Sequence, residues 1–348
     1  MENIITHDYL RKVIAKRIQL VAKNDLQHLI NSEPLFQERI CCGAMLLRIF
    51  DGKEVNQSEF LAQMLVVYKR INLVWQPDNI IDGINSINAF YKQCVEDNCI
   101  YIKLDDDIVW LAPNFFEEIV KFRIQHPEYF VVSPLVINNA KTTYLFQIQG
   151  KLKLARYQRA ESFSKVLWKS GKFALELHEW FIKNYLSPQK WEDLYCQNYP
   201  MGITRFSINS IAWFGEDMKK FQGEVSGDDE EFMSCIRPTL EGKANCFCGS
   251  TLIAHFAFRS QREILDKANI LEQYGTVMFD QWKKNPKLYA IHCFTQECLS
   301  SIKQDSVEAF HDFYMPLYAT PPKENKIIKR IKFLWGRYKE MKASFIKN

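Results

Sequence analysis

The stretch Cys99-Ile-Tyr-Ile-Lys-Leu-Asp-Asp-Asp-Ile-Val-Trp110 constrains this chain more than any other. An apolar run breaks at three consecutive carboxylates, Asp105, Asp106 and Asp107, and apolar residues then resume. β-branched and aromatic residues in a short apolar run predict a buried strand. Three acids at its end repel one another and are costly to desolvate, so a cation is expected beside them. One Asp would suffice to cap the turn before a helix at Pro113. Ligands of open α/β sheets bind at the carboxyl ends of strands. The simplest account is a metal site that grips a phosphorylated ligand.

The surrounding pattern alternates strands and helices. Ile71–Trp75 reads as a strand, Ile80–Val95 as a helix and Cys99–Leu104 as the acid-tipped strand. Pro113 suits a first helical turn, and Phe115–Gln125 reads as a helix ending before His126-Pro127. Phe130–Val136 reads as a strand, and Tyr144–Tyr157, with Gly150 inside, as a hairpin. Residues 160–200 are aromatic-rich and predict helix; Phe206–Phe214 and Leu252–Phe258 predict strands. Strands alternating with helices predict an α/β fold with a mostly parallel sheet flanked by helices.

The ends differ in character. Residues 8–31 show helical periodicity through Leu10, Val13, Ile14, Ile18, Val21, Leu26 and Leu29. Further helices are expected over 33–50 and after Asn56 or Ser58. Residues 323–348 carry nine Lys/Arg against two Glu, with Ile327, Ile331, Leu334, Trp335 and Tyr338 on one helical face. Such a basic amphipathic helix fits peripheral attachment to an anionic membrane, or docking on its own domain. The expected organisation is a helical segment over 1–66, a catalytic domain over 67–322 and a basic C-terminal helix over 323–348.

Bulk properties exclude several classes. Of the 348 residues, 47 % are hydrophobic and 25 % charged, which is a globular rather than a disordered composition. A net charge of +4 is too small to imply nucleic-acid binding. The ten cysteines show no disulfide-framework spacing, and no apolar signal segment opens the chain, so reduced thiols in a cytoplasm are expected. Cys246-Phe-Cys248 lacks a second pair at zinc-ligand spacing. No window is apolar enough for a membrane span.

Two further constellations carry chemistry. One runs Arg205-Phe-Ser-Ile-Asn-Ser-Ile-Ala-Trp-Phe-Gly215, then Phe221-Gln-Gly-Glu-Val-Ser-Gly-Asp-Asp-Glu-Glu-Phe-Met233. Acids are favoured in a helix's first turn, but four in a row exceed that need. Their repulsion should raise the proton affinity of at least one, as suits a general base. The other is His255 in an apolar strand, followed by Arg259 and Arg262. A lone strand histidine is more often a core residue than a ligand; the two arginines fit a diphosphate site or a surface.

In this order, the three elements resemble the GT-A fold of nucleotide-sugar-dependent glycosyltransferases, over roughly residues 70–262. Leu104-Asp-Asp-Asp-Ile108 resembles the family's Asp-x-Asp motif. The resemblance implies that Asp105, Asp107 and His255 hold Mn2+ or Mg2+, and that Lys103, Asp105, Asp106, Ser207, Asn209, Arg259 and Arg262 meet the donor. The Phe221–Asp229 stretch resembles the family's Gly-Gly-Phe…Gly-Glu-Asp stretch, which makes Asp229 the base of an inverting enzyme. Asp228 and Glu230 are alternatives one residue away. Trp213, Trp180 and His178, with Glu179, are candidates for the acceptor cleft, against simple core packing for the aromatics. The family's opening strand and base-holding loop have no counterpart here; Met64–Tyr68 matches them poorly.

The resemblance implies transfer of a sugar from a nucleotide-sugar donor to a saccharide or glycolipid acceptor, in surface polysaccharide or glycan synthesis. The expected location is cytoplasmic, at the inner membrane face. Nucleic acid is not an expected partner. A non-catalytic scaffold of the same fold, and a metal-dependent phosphohydrolase, are the rival classes.

Overall fold

The computed structural model describes residues 40–42, 83–105, 107–286, 289–290 and 292–293. The helices expected over 8–31 and after Asn56, the strand at Ile71–Trp75, most of the 33–50 helix and the 323–348 tail lie outside these residues.

Among the described residues, seven strands form one sheet: β1 (Ile40–Cys42), β2 (Ile100–Leu104), β3 (Ile108–Leu111), β4 (Val132–Ile137), β5 (Tyr199–Met201), β6 (Ser210–Phe214) and β7 (Asn245–His255). Their order is β1-β2-β6-β4-β7-β3, with β5 also paired to β7. The sheet is mixed, which corrects the expectation of a mostly parallel one. Among the described strands, only β1–β2 and β4–β7 run parallel. β6 runs against both β2 and β4, and β3 and β5 run against β7. Alternating strands and helices say nothing about a strand that enters the sheet from the opposite end.

Helices cover both faces. They are α1 (Gly83–Tyr91), α2 (Phe115–Gln125), α3 (Ala140–Ile148), α4 (Gly171–Phe181), α5 (Gly215–Lys219), α6 (Arg237–Glu241), α7 (Arg262–Lys267) and α8 (Ile270–Trp282). β2 is buried along its whole length because its two faces feed two cores. Ile100, Ile102 and Leu104 face Phe115, Phe116, Ile119 and Val120 of α2. Tyr101 turns to the other face, with Leu177 and Phe181 of α4 and Trp213 of β6. Each such buried side chain contributes about 1.5–3 kcal/mol.

Other local expectations shift. The residues read as a hairpin over Tyr144–Tyr157 form no strands: Tyr144–Ile148 belong to α3, because Asn139 caps it by accepting from Lys141 N and Leu145 and Phe146 enter the core, and 149–157 are turns and loop. Ile40–Cys42, read inside a helix, pairs with β2 as a strand. β6 starts at Ser210, which leaves 206–209 as a loop, and β7 starts earlier than expected, at Asn245.

The acid turn has an unusual path. β2 and β3 are joined by Asp105–Asp107 yet lie four positions apart in the sheet. Four strand spacings cover about 19 Å in a flat sheet, whereas the step from residue 104 to 108 reaches at most about 14 Å. The strands therefore draw together at this end. Asp105 N donates to Asn209 O (2.9 Å), just before β6, and Phe256 N donates to Asp107 O (2.8 Å), just after β7. The turn stitches the strand ends together.

Candidate functional site

The turn brings the sequence's candidate ligands to one point. One oxygen each of Asp105 and Asp107 and one nitrogen of His255 all lie within 4.8 Å of one another. Ile108 pairs with His255 in the β3–β7 ladder, which sets the histidine opposite the turn. His255 Nε2 lies 3.2 Å from Asp107 Oδ1. Hard divalent ions bond their ligands at about 2.0–2.6 Å, so two ligands of one ion are at most about 5 Å apart. The three residues fit such an ion with small adjustments. Asp106 lies outside the described residues.

The chain also supplies its own cations. Lys103 Nζ is ion-paired with Asp105 Oδ1 and donates to Ile208 O (3.0 Å). Arg262 Nη2 lies 3.1 Å from Asp107 Oδ2. Asn209 Nδ2 donates to Asp105 Oδ2 (3.3 Å). The sequence argument that clustered acids call for a metal is therefore incomplete: side-chain cations already face both carboxylates.

Titration behaviour follows from these partners. Burial raises the Asp105 carboxyl above its ordinary value, with Lys103 pulling it back. Burial would raise Asp107 too, but His255 and Arg262 outweigh it and hold Asp107 low. Burial would lower His255, but Asp107 and Asp105 raise it on balance. Burial likewise opposes the Lys103 ammonium, yet Asp105 and Asp229 hold it above the usual range. Asp229 acts electrostatically on Lys103, so the second acid segment lies in the neighbourhood of the first.

Within that segment the roles divide. Asp228 caps the short helical turn Asp229–Glu231: Oδ1 accepts from Glu230 N (3.0 Å) and Glu231 N (3.3 Å), and Oδ2 from Arg205 (2.7 Å). Glu230 accepts from Arg205 Nε at 2.8 Å, and burial, more than its acidic neighbours, raises its carboxyl. Asp229 accepts from the Tyr91 hydroxyl at Oδ2 (3.1 Å). Its other oxygen has no hydrogen-bond partner among the described residues. Asn88 of α1 donates to Gly227 O (2.9 Å), so α1 fixes this loop at two points.

No protein-family model, curated protein or solved structure matches this chain. Among the described residues, no helix is long and apolar enough to cross a membrane.

The remaining candidates separate. Ser207 is buried, and its carbonyl accepts from Asn139 Nδ2 (3.1 Å). Arg259 is exposed, with no carboxylate partner among the described residues. Trp213 and His178, expected at an acceptor cleft, lie in the core. Trp213 is 1 % exposed and stacks on Tyr101 at 5.9 Å. His178 is fully buried; Nε2 meets Phe256 O (2.8 Å) and Nδ1 meets the Tyr274 hydroxyl (3.0 Å). Neither presents a face to a ligand. Trp180 is half-buried against Tyr185 and Phe146, and Glu179 is exposed.

Sequence reasoning missed Tyr91 and the Asn138-Asn139 pair. Asn138 takes positive φ (64°) and donates to Phe256 O (3.0 Å) and Gln261 Oε1 (2.9 Å), which braces the strand end bearing His255. Asn139 donates to Asn209 Oδ1 (3.0 Å), behind Asp105. The signal was present: two amides directly after a strand can bond the backbone of their neighbours.

Proposed function

We propose that the protein is a metal-dependent glycosyltransferase acting on a nucleotide-sugar donor and a saccharide or glycolipid acceptor, with inversion. The observation that supports this reading is the meeting of Asp105, Asp107 and His255, with Asp229 near enough to act on Lys103 beside them. Asp105, Asp107 and His255 would hold Mn2+ or Mg2+. The bound ion would neutralise charge building on a departing diphosphate. Lys103 holds Asp105 in place, and Asn209 orients its second oxygen. Asp229, fixed by Tyr91 and with one oxygen unbonded among the described residues, takes the proton of the acceptor hydroxyl. Asp228 serves the fold as a cap rather than the chemistry.

The test is a thermal-shift panel of UDP and GDP, each with and without Mn2+, followed by donor turnover. Mn2+-dependent stabilisation that disappears in Asp107→Asn is expected. Absence of any nucleotide or metal response would sink the reading. One observation favours the rival of a non-catalytic scaffold: Lys103 and Arg262 already compensate both carboxylates. That rival expects no response to either addition.

A further inference from the structure

Arg262 and a divalent cation compete for one carboxylate. The Arg262 guanidinium sits 3.1 Å from Asp107 Oδ2, while His255 Nε2 faces Oδ1 of the same group. The two partners differ in freedom. His255 is 3 % exposed and held in a strand, whereas the Arg262 side chain is 44 % exposed on a long flexible stem at the start of α7. Asp107 itself is only 13 % exposed. An ion binding between Asp105, Asp107 and His255 adds two positive charges within a few ångströms of the guanidinium, in a partly buried place where screening is weak. Lys103 cannot yield in the same way, because it is buried and also held by Ile208 O. Arg262 is the cation that can leave.

We propose that Arg262 is the displaceable counter-ion of this centre: it occupies Asp107 in the free protein and turns to the phosphates of the bound ligand when the metal loads. The proposal rests on the metal reading above. It assigns one residue two opposite effects. Arg262 opposes binding of the metal alone, because the metal must break its pair with Asp107. It favours the nucleotide diphosphate once the metal is present, because a guanidinium matches phosphate oxygens in a two-pronged contact.

The test is calorimetric titration of the full-length protein with MnCl2 alone, then with UDP and GDP at saturating Mn2+. Wild type, Arg262→Gln, Arg262→Lys and Arg259→Gln are compared, with circular dichroism as a check on folding. Arg262→Gln should bind Mn2+ alone at least about threefold more tightly, the weight of a half-exposed ion pair. It should bind the diphosphate with Mn2+ more weakly. Arg262→Lys, which keeps the charge but not the two-pronged contact, should recover much of the wild-type Mn2+ affinity and only part of the diphosphate affinity, and Arg259→Gln should leave Mn2+ affinity unchanged. Binding of Mn2+ seen only in Arg262→Gln would also support the proposal. If wild type binds Mn2+ and Arg262→Gln shows a smaller gain or none, this proposal fails while the metal reading stands. If neither protein binds Mn2+, both fall.

Discussion

The imidazole of His255 lies 3.2 Å from the carboxylate of Asp107, at the meeting of a turn after β2 and the last residue of β7. Spacing along the chain does not pair the two residues; only the resemblance did. The β3–β7 ladder joins them, since Ile108, next to Asp107, is the register partner of His255.

Asp107 should be the residue on which metal-linked binding depends. Asp107→Asn keeps the side chain's shape but removes its charge. In wild type, UDP or GDP at a hundred times its dissociation constant should add about 2.7 kcal/mol of stability with Mn2+ present. The variant should show no Mn2+-dependent rise in Tm. A full rise in the variant would place the ion elsewhere.

Asp229 and Tyr91 should separate chemistry from binding. Asp229→Asn should lower sugar transfer by about a hundredfold or more while nucleotide affinity holds. Tyr91→Phe removes one hydrogen bond to Asp229, worth about 0.5–1.5 kcal/mol, and should lower kcat more than it raises KM. Once a donor is found, single-turnover transfer and nucleotide titration read the two effects apart. Undiminished transfer by Asp229→Asn would move the base to another residue.

Two buried histidines should give stability opposite dependences on pH. Burial pushes His178 down to about 4, below the ordinary 6.5. The unfolded chain therefore takes up this proton first, and the His178 contribution, roughly 3 kcal/mol at most, drains away as pH falls from 6.5 to 4. His255 is raised by Asp107, so its contribution is full below 6.5 and is lost as pH climbs through its raised value. Urea unfolding from pH 4.5 to 8.5 reads both. The advantage of wild type over His178→Gln should shrink towards acid, and its advantage over His255→Gln should shrink towards alkali. A pH-independent difference in either pair would refute that assignment.

Trp213 should matter to stability rather than to acceptor recognition. It is enclosed by Tyr91 at 5.7 Å and Tyr101 at 5.9 Å. Trp213→Ala should cost about 3–5 kcal/mol in urea unfolding, as for other large core truncations. A loss under 1 kcal/mol would mean that the indole is not core.

Local elements with strong signals were legible in the chain alone. The Phe115–Gln125 helix emerged with its observed ends because its apolar spacing and flanking prolines are local. The acid-tipped strand emerged because a buried run that ends in charge has few other uses. Asp105, Asp107 and His255 were legible as residue types, and the structure brings them together. Strand direction, and the identity of the cations facing the acids, were decided only by tertiary structure. β6 lies antiparallel between β2 and β4, and no residue within it encodes that direction, because side chains alternate in the same way whichever way a strand runs. Lys103, two residues from Asp105, was visible as a charge, but its hold on Ile208 O needed the fold. Arg262 reaches Asp107 across 155 positions, a distance that only a closed sheet end removes. Burial likewise decided between acceptor cleft and core packing for Trp213, and it encloses His178, since exposure belongs to the whole packed chain rather than to a residue type.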